Sequence, residues 1–104
     1  MQIPLQITLR NISKSEAVEA AIRKKAAKLE RFHNRIVSCR VAVEIPARHK
    51  HQGKEFVVRI DLKVPGTELV VQKRADANLE QALKGAFDAA GRRLEDHVRR
   101  RRST

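Results

Sequence analysis

Aromatic residues are scarce in this sequence, which has no tryptophan, no tyrosine and only three phenylalanines. Proteins that read single-stranded bases by stacking present exposed aromatic side chains, so the shortage disfavours that mode of recognition. Recognition of phosphates and of molecular shape needs no aromatic residue, and the composition is compatible with it.

Cysteine occurs once, at Cys39, so no intramolecular disulfide can form and we expect a reducing compartment. Cys39 stands among alternating apolar residues, which favours an ordinary core position. No stretch approaches the roughly 20 apolar residues of a membrane span. Residues 1–5 have neither the basic region nor the apolar run of a secretion signal. We therefore predict a cytoplasmic protein without a membrane partner.

Catalytic motifs are missing as well. The sequence has no nucleophile–base arrangement, no glycine-rich phosphate loop and no paired carboxylates, so we predict no enzyme activity, no cofactor and no small-molecule substrate. His49 and His51 could form a zinc-ligand pair, but Arg48 and Lys50 flank them and no cysteine or carboxylate stands nearby. We interpret these histidines as tuning the charge of a loop, and we predict no metal site.

Positive charge, in contrast, is abundant: 23 Lys and Arg residues oppose 12 Asp and Glu residues, for a formal net charge of +11. Such a field attracts polyanions at long range; nucleic acid, an anionic membrane and an acidic protein all carry this charge, and of the three we predict a partner other than a membrane. The 104 residues suit one domain, and we predict a single RNA-binding domain over residues 1–104.

Alternating apolar residues predict strands over residues 2–10, 36–45 and 56–64, and a short fourth strand over 69–72. With two helical segments between and after them, the order is β-α-β-β-β-α. The last three strands form an antiparallel meander, and the first, followed by a crossover helix, can pair in parallel with one of them. Because each strand has one apolar face, we predict an α+β fold with a four-stranded mixed sheet and both helices packed on one face.

The first helix is predicted to begin either at an N-cap on Ser15 or at a capping box of Ser13 with Glu16, and to end near residue 32 or 33. Carboxylates in its first turn favour the helix dipole. Its apolar stripe has the spacing of one helix face and consists of Val18, Ile22, Ala26, Leu29 and Phe32.

The same helix also carries a basic stripe, whose members lie within about 60° of one another on a helical wheel. Glu16, Glu19 and Glu30 lie on a different side. Like charges at this spacing cost roughly a few tenths of a kcal/mol per pair, which an anionic ligand would offset; the alternative is an ordinary solvated face. We predict RNA binding by the stripe, which consists of Lys24, Lys28, Arg31 and Arg35.

A second long helix is predicted from about Asn78, with residues 99–104 fraying into a basic tail. Gly85 and Gly91 weaken it by roughly 1 kcal/mol each relative to alanine, which close packing against the sheet would explain. Cations near a helix C-terminus suit the dipole, but four consecutive arginines exceed that need and favour phosphate binding. The helix also carries Lys84. We predict RNA binding by four of its arginines, Arg92, Arg93, Arg99 and Arg100.

Four segments occur in an order and at a spacing that are specific together: Arg10–Val18, Lys28–Phe32, Val64–Val71 and Ala82–Arg93. They resemble the ribosome hibernation-promoting factor family, which includes the ribosome-associated inhibitor and the proteins once called sigma-54 modulators. The resemblance covers nearly the whole chain. It implies a fold similar to a double-stranded-RNA-binding domain with an added first strand.

The resemblance also implies binding to the RNA of the small ribosomal subunit, between head and body and over the messenger and tRNA sites, which blocks translation in idle ribosomes. Basic positions that face ribosomal RNA in the family match Lys25, Lys28, Arg31 and Arg92. Glu80 departs from the family, since a tyrosine is usual there. Two alternative functions remain: a general structured-RNA-binding or RNA-chaperone module, and a regulator that docks an acidic partner protein.

Overall fold

The structure, a computed structural model, describes residues 3–46, 55–76 and 78–102. The predicted β-α-β-β-β-α order is confirmed. Its elements are β1 (Leu5–Arg10), α1 (Glu16–Phe32), β2 (Ser38–Glu44), β3 (Glu55–Val64), β4 (Thr67–Asp76) and α2 (Leu79–Arg102).

The strands form one four-stranded sheet in the order β1-β2-β3-β4. β1 pairs in parallel with β2, in a register that places Ile7 beside Val41, whereas β2, β3 and β4 are antiparallel neighbours. A two-residue turn of Pro65 and Gly66 joins β3 to β4. Gly66 has a φ of 86°, a conformation that glycine adopts without strain. The predicted mixed sheet is thus confirmed.

One face of the sheet carries the core, because side chains alternate across each strand. β2 sends Cys39, Val41 and Val43 to this face, and none of the three exceeds 2% exposure. The predicted core position of Cys39 is therefore confirmed. Both helices cover the same face, and their largest buried contributions come from Ile22 and Leu29 of α1 and from Leu83, Phe87 and Leu94 of α2.

Side-chain caps determine where the helices begin. Ser15 is the N-cap of α1, and its Oγ accepts a hydrogen bond from the Val18 N–H at 3.3 Å. The Ser15 interpretation is therefore right, and the capping box from Ser13 is wrong. At α2, Asn78 Oδ1 accepts from the Gln81 N–H at 3.2 Å, as expected for a helix that starts just after residue 78.

Two predicted core residues lie at the surface. Phe32 was expected in the apolar stripe of α1, but its side chain is 68% exposed. It is the last residue of the helix, one turn beyond the buried Leu29, and it lines surface clefts at the ends of the two helices. Val37, expected among the inward residues of β2, precedes that strand and is 48% exposed.

Two elements are longer than predicted. β4 has 10 residues, because its backbone continues to pair with β3 beyond Val71 although its exposed side chains there are polar. The basic tail predicted for residues 99–104 is helical as far as Arg102, so the arginines extend α2. The loop with His49 and His51 lies outside the described residues. Within the described ranges, neither helix combines the length and apolar content that crossing a membrane requires.

Candidate nucleic-acid interface

The rotation of α1 places its basic stripe in solvent. Ile22, Ala26 and Leu29 are buried against the sheet, and this burial fixes the direction in which every other side chain points. Lys24, Lys28 and Arg31 are all exposed, as the wheel predicted. Arg35 is exposed too, but it follows the end of the helix and lies in the connection to β2.

A cleft of about 390 Å³ separates the outer surfaces of the two helices, and we call it the interhelical cleft. Lys25 and Lys28 line it from α1, and Lys84 and Arg92 line it from α2. The helices touch at its base, where a Cβ added to Gly91 would lie 3.8 Å from the Leu29 Cδ1 atom. Three of the four residues that the family resemblance singled out, Lys25, Lys28 and Arg92, therefore belong to or border one surface, and the fourth, Arg31, lies one turn away on α1.

The electrostatics of the interhelical cleft favour an anion. Its carboxylates are Asp88 and Glu95, and Asp88 is already 3.4 Å from the Lys84 Nζ atom. Lys25, Lys28 and Arg92 form no ion pair with any residue in the part of the chain that the structure describes. Each of them therefore presents a full positive charge to a ligand.

A second cleft, which we call the end cleft, lies between the C-terminal ends of α1 and α2 and has a volume of about 800 Å³. Two predicted RNA-binding residues, Arg35 and Arg99, line it together with Arg101. Arg99 is paired with Asp96, and Arg101 donates to the Pro65 carbonyl oxygen at 3.2 Å. The end cleft is therefore basic, and of its three arginines Arg99 and Arg101 are engaged within the protein.

The remaining predicted residues are not brought to either cleft. Arg93 and Arg100 are exposed on α2, and at about 100° per residue Arg93 points well away from its neighbour Arg92. Because seven residues make nearly two turns, Arg93 and Arg100 share one side of the helix. The structure thus divides the predicted set into four groups. They are the interhelical group of Lys25, Lys28 and Arg92, the end-cleft residues Arg35 and Arg99, the solvent-facing Lys24 and Arg31 of α1, and the pair of Arg93 and Arg100 on α2.

The acidic side of α1 has a structural role instead. Glu19 lies 3.9 Å from Arg23, one turn away on the same helix. The Oε1 atom of Glu30 accepts a hydrogen bond from the Ile3 N–H at 3.0 Å, which connects the end of α1 to the start of β1. On α1, Glu30 is thus bound to the chain before β1, whereas Lys24, Lys28 and Arg31 face solvent or the interhelical cleft.

The uncovered face of the sheet is a weaker candidate because most of its arginines are already paired with carboxylates. Arg40 lies 3.4 Å from Asp61 and 3.2 Å from Glu68, and Arg59 lies 2.8 Å from Asp61. Two arginines thus share two carboxylates within one network. A polyanion would have to compete with these carboxylates, whereas at the interhelical cleft it would find unpaired cations.

Phe32 is the residue of this surface that the sequence prediction missed. It lines both clefts and was assigned to the core because it continues the apolar stripe of α1. Its place at the end of the helix, followed by the polar residues His33 and Asn34, is the signal that could have exposed the error. Metal binding gains no support here, since the described residues hold no group of three or more potential ligands.

Comparison with known proteins fits this architecture. A sequence model of the family described as "Sigma 54 modulation protein / S30EA ribosomal protein" matches residues 5–102. The fold is similar to that of a ribosomal subunit interface protein from Coxiella burnetii, with a TM-score of 0.78 and 16% identity over 92% of this chain and 98% of that chain. It is also similar to the N-terminal domain of Thermus thermophilus Protein Y, with a TM-score of 0.72 and 22% identity over 93% of this chain and 99% of that chain.

No curated protein matches the sequence significantly. At these identities the two solved structures establish the fold, and the match over residues 5–102 establishes the family. The resemblance drawn from the four sequence segments is thereby confirmed: the chain belongs to the sigma 54 modulation protein / S30EA ribosomal protein family, the family of the ribosome hibernation-promoting factors.

Proposed function

We propose that this protein binds the small ribosomal subunit through ribosomal RNA and blocks translation in idle ribosomes. The main contact is the interhelical cleft together with the exposed stripe of α1, and Lys25, Lys28, Arg31 and Arg92 bind phosphates. The protein acts in the cytoplasm, as a binding protein without cofactor or catalytic step.

The observation that carries the proposal is the set of unpaired cations at the interhelical cleft. Lys25, Lys28 and Arg92 converge from two helices, and no described residue neutralises them. RNA phosphates are anions in a fixed array, so cations held on rigid helices can match them without much loss of conformational entropy. The net charge of +11 adds long-range attraction to the same ligand.

Family membership supports the choice of ribosomal RNA over other polyanions. The similar protein from Coxiella burnetii is described as a ribosomal subunit interface protein, and the family name itself includes a ribosomal protein. A factor lodged at the messenger and tRNA sites would inhibit translation by occupancy alone. Such inhibition needs no nucleotide and no bond cleavage, in agreement with a surface that offers cations but no catalytic group.

Sedimentation of a stationary-phase lysate on a sucrose gradient, with detection of this protein, tests the proposal directly. We expect co-migration with small subunits and whole ribosomes, and purified protein should inhibit a translation assay in proportion to its occupancy of small subunits. Migration with free RNA would favour a general RNA-binding or chaperone module. Migration with a single protein would favour the regulator of an acidic partner.

A further inference from the structure

Phe32 is the one aromatic side chain that this protein exposes. The sequence has three phenylalanines and no tyrosine or tryptophan. Two of the three, Phe56 and Phe87, are only 9% and 7% exposed. Phe32 is 68% exposed. A ring that is mostly in water adds little to folding, so Phe32 is free to contact a ligand at the candidate interface.

The surroundings of Phe32 restrict what that ligand can be. The ring lies at the boundary of the interhelical cleft and the end cleft, with Lys28 and Arg92 on one side and Arg35 on the other. Glu95 also lines both clefts, but the cations outnumber it. A ligand that covers the ring and pairs with these cations carries negative charge on both sides of a flat apolar group. A polynucleotide has that chemistry, because phosphates flank every base and both faces of a base are apolar.

Other ligands fit this surface less well. Among the described residues, the only other exposed large hydrophobic side chains are Val37 and Val70, and Val70 lies on β4, in the sheet. The apolar neighbours of Phe32 in the end cleft are Val64, Leu94 and Val98, of which Val64 and Leu94 are buried and Val98 is half-buried. The exposed apolar surface is therefore small compared with an ordinary protein interface or a membrane-inserting patch. An acidic protein surface would match the cations but would offer a flat ring only where it also carries an aromatic residue, whereas every nucleotide carries one.

We propose that Phe32 stacks on one unpaired base of the bound RNA, while the cations of the two clefts hold the phosphates on either side of that nucleotide. The inference rests on the proposed function and adds the form of RNA that is recognised. Phosphate contacts alone would accept any structured RNA. A stacking ring selects a site where a base is already out of its helix, as at loops and junctions.

Affinity for purified small ribosomal subunits, measured for a set of Phe32 variants, tests the inference. Phe32→Ala and Phe32→Leu should both weaken binding by about 5- to 150-fold, the range that alanine substitution of a stacking aromatic residue gives. Phe32→Tyr and Phe32→Trp keep a ring and should bind like the parent. Val70→Ala, on an exposed apolar residue of the sheet, is the matched control and should leave affinity unchanged.

The salt dependence of binding separates stacking from charge. Phe32→Ala removes no cation, so the slope of log K against log salt should equal that of the parent. Lys28→Ala should reduce the magnitude of that slope by about 1, because one phosphate contact is lost. Circular dichroism of each variant confirms the fold, which should persist because Phe32 is mostly in solvent.

The outcomes distinguish this inference from the function on which it rests. If the parent protein does not bind small subunits, the proposed function fails. If the parent binds and Phe32→Ala binds within twofold of it, the function stands and the stacking proposal is overturned. Full affinity of Phe32→Leu would also overturn stacking, because any apolar side chain would then suffice. A change in the salt slope of Phe32→Ala would overturn it as well.

Discussion

Lys28 of α1 and Arg92 of α2 line the same interhelical cleft, although they belong to different helices that are far apart in the sequence. The two helices pack against each other, with Leu29 and Gly91 both lining the cleft between them, and this packing brings the two cations together. Neither cation is paired with a described residue. The candidate interface is therefore a product of the tertiary fold, and its two halves can be tested as one unit.

The first prediction compares two double charge reversals, one inside the interhelical cleft and one outside it. Lys28→Glu with Arg92→Glu should weaken binding to small subunits at least about tenfold, since a charge-assisted contact contributes roughly 1.5 kcal/mol or more. Lys14→Glu with Lys73→Glu, at two exposed lysines that were not predicted to bind RNA, changes the net charge by the same amount outside the cleft. This control should lose less affinity, through the long-range field alone. Equal losses in a binding titration would show that the cleft has no special role.

The second prediction concerns salt. The net charge of +11 and the cations around the interhelical cleft suggest contact with several phosphates. For about five to eight contacts, the slope of log K against log salt should be roughly −4 to −7. Filter binding to small subunits over a series of potassium concentrations, at constant magnesium, gives this slope. A slope near zero would contradict recognition through phosphates.

The third prediction concerns the buried thiol in the core. Burial raises the pKa of Cys39 to about 11, and the Asp61 carboxylate adds to the increase. The pKa of a free thiol is about 8.5, below this folded-state pKa. The contribution of the neutral thiol to stability is therefore complete below about pH 8.5. It is then lost as the pH rises toward the folded-state value.

Urea unfolding of the parent and of Cys39→Ala, at about pH 8 and about pH 10.5, measures this loss. The parent should lose more free energy of unfolding between the two pH values than the variant does. Lysine titration affects both proteins alike, so the difference isolates the thiol. The thiol of the folded protein should also react slowly with alkylating reagents at neutral pH, because it is protonated and buried.

The fourth prediction uses two glycines with opposite expected effects. A Cβ at Gly85 of α2 meets no atom within 4 Å, so close packing does not explain this glycine. Gly85→Ala should therefore raise the free energy of unfolding by about 0.5–1 kcal/mol through helix propensity. Gly66→Ala should lower it, because Gly66 has a φ of 86° in its turn. Urea unfolding measures the free energy of unfolding of both variants. A Gly85→Ala variant less stable than the parent would contradict the expected increase.

Local patterns in the sequence predicted the order of the elements because each pattern has a direct physical cause. Alternation from Phe56 to Val64 gave β3, since every second residue of a strand faces the core. Ser15 and Asn78 indicated the helix starts, because their side chains can accept the unsatisfied N–H groups of a first turn. These signals act over a few residues and need no knowledge of the rest of the chain.

The errors share a cause, which is that tertiary position overrides a local pattern. Phe32 continues the apolar stripe of α1, but at the last turn there is no sheet beneath it to cover the ring. The end of β4 looked too polar for a strand, yet β3 supplies its backbone partners. For the same reason, only part of the candidate site was predictable from the sequence. The basic stripe on α1 is a local pattern, whereas the position of Arg92 beside Lys25 and Lys28 depends on how the two helices pack.

The last prediction concerns Glu30, whose carboxylate belongs to the acidic side of α1 and accepts the Ile3 N–H at 3.0 Å. This bond joins the last turn of α1 to the chain just before β1, and Glu30 is half-buried. Glu30→Ala should therefore lower the free energy of unfolding by about 1–2 kcal/mol, because it removes a charged acceptor and leaves a partly buried donor unsatisfied. Glu30→Gln keeps an acceptor oxygen in the same place and should cost less.

Urea unfolding measures the stability of both Glu30 variants, and titration against small subunits measures their binding. We expect folded Glu30→Ala to bind small subunits at least as well as the parent, since the lost charge is negative and lies away from the interhelical cleft. Glu16→Gln is the matched control, because this exposed carboxylate in the first turn of α1 has no hydrogen bond to β1. If Glu30→Ala were as stable as Glu16→Gln, the Glu30–Ile3 bond would not stabilise the fold. If it bound more weakly while folded, the acidic side of α1 would belong to the interface, and the separation of a structural side from a binding side would be wrong.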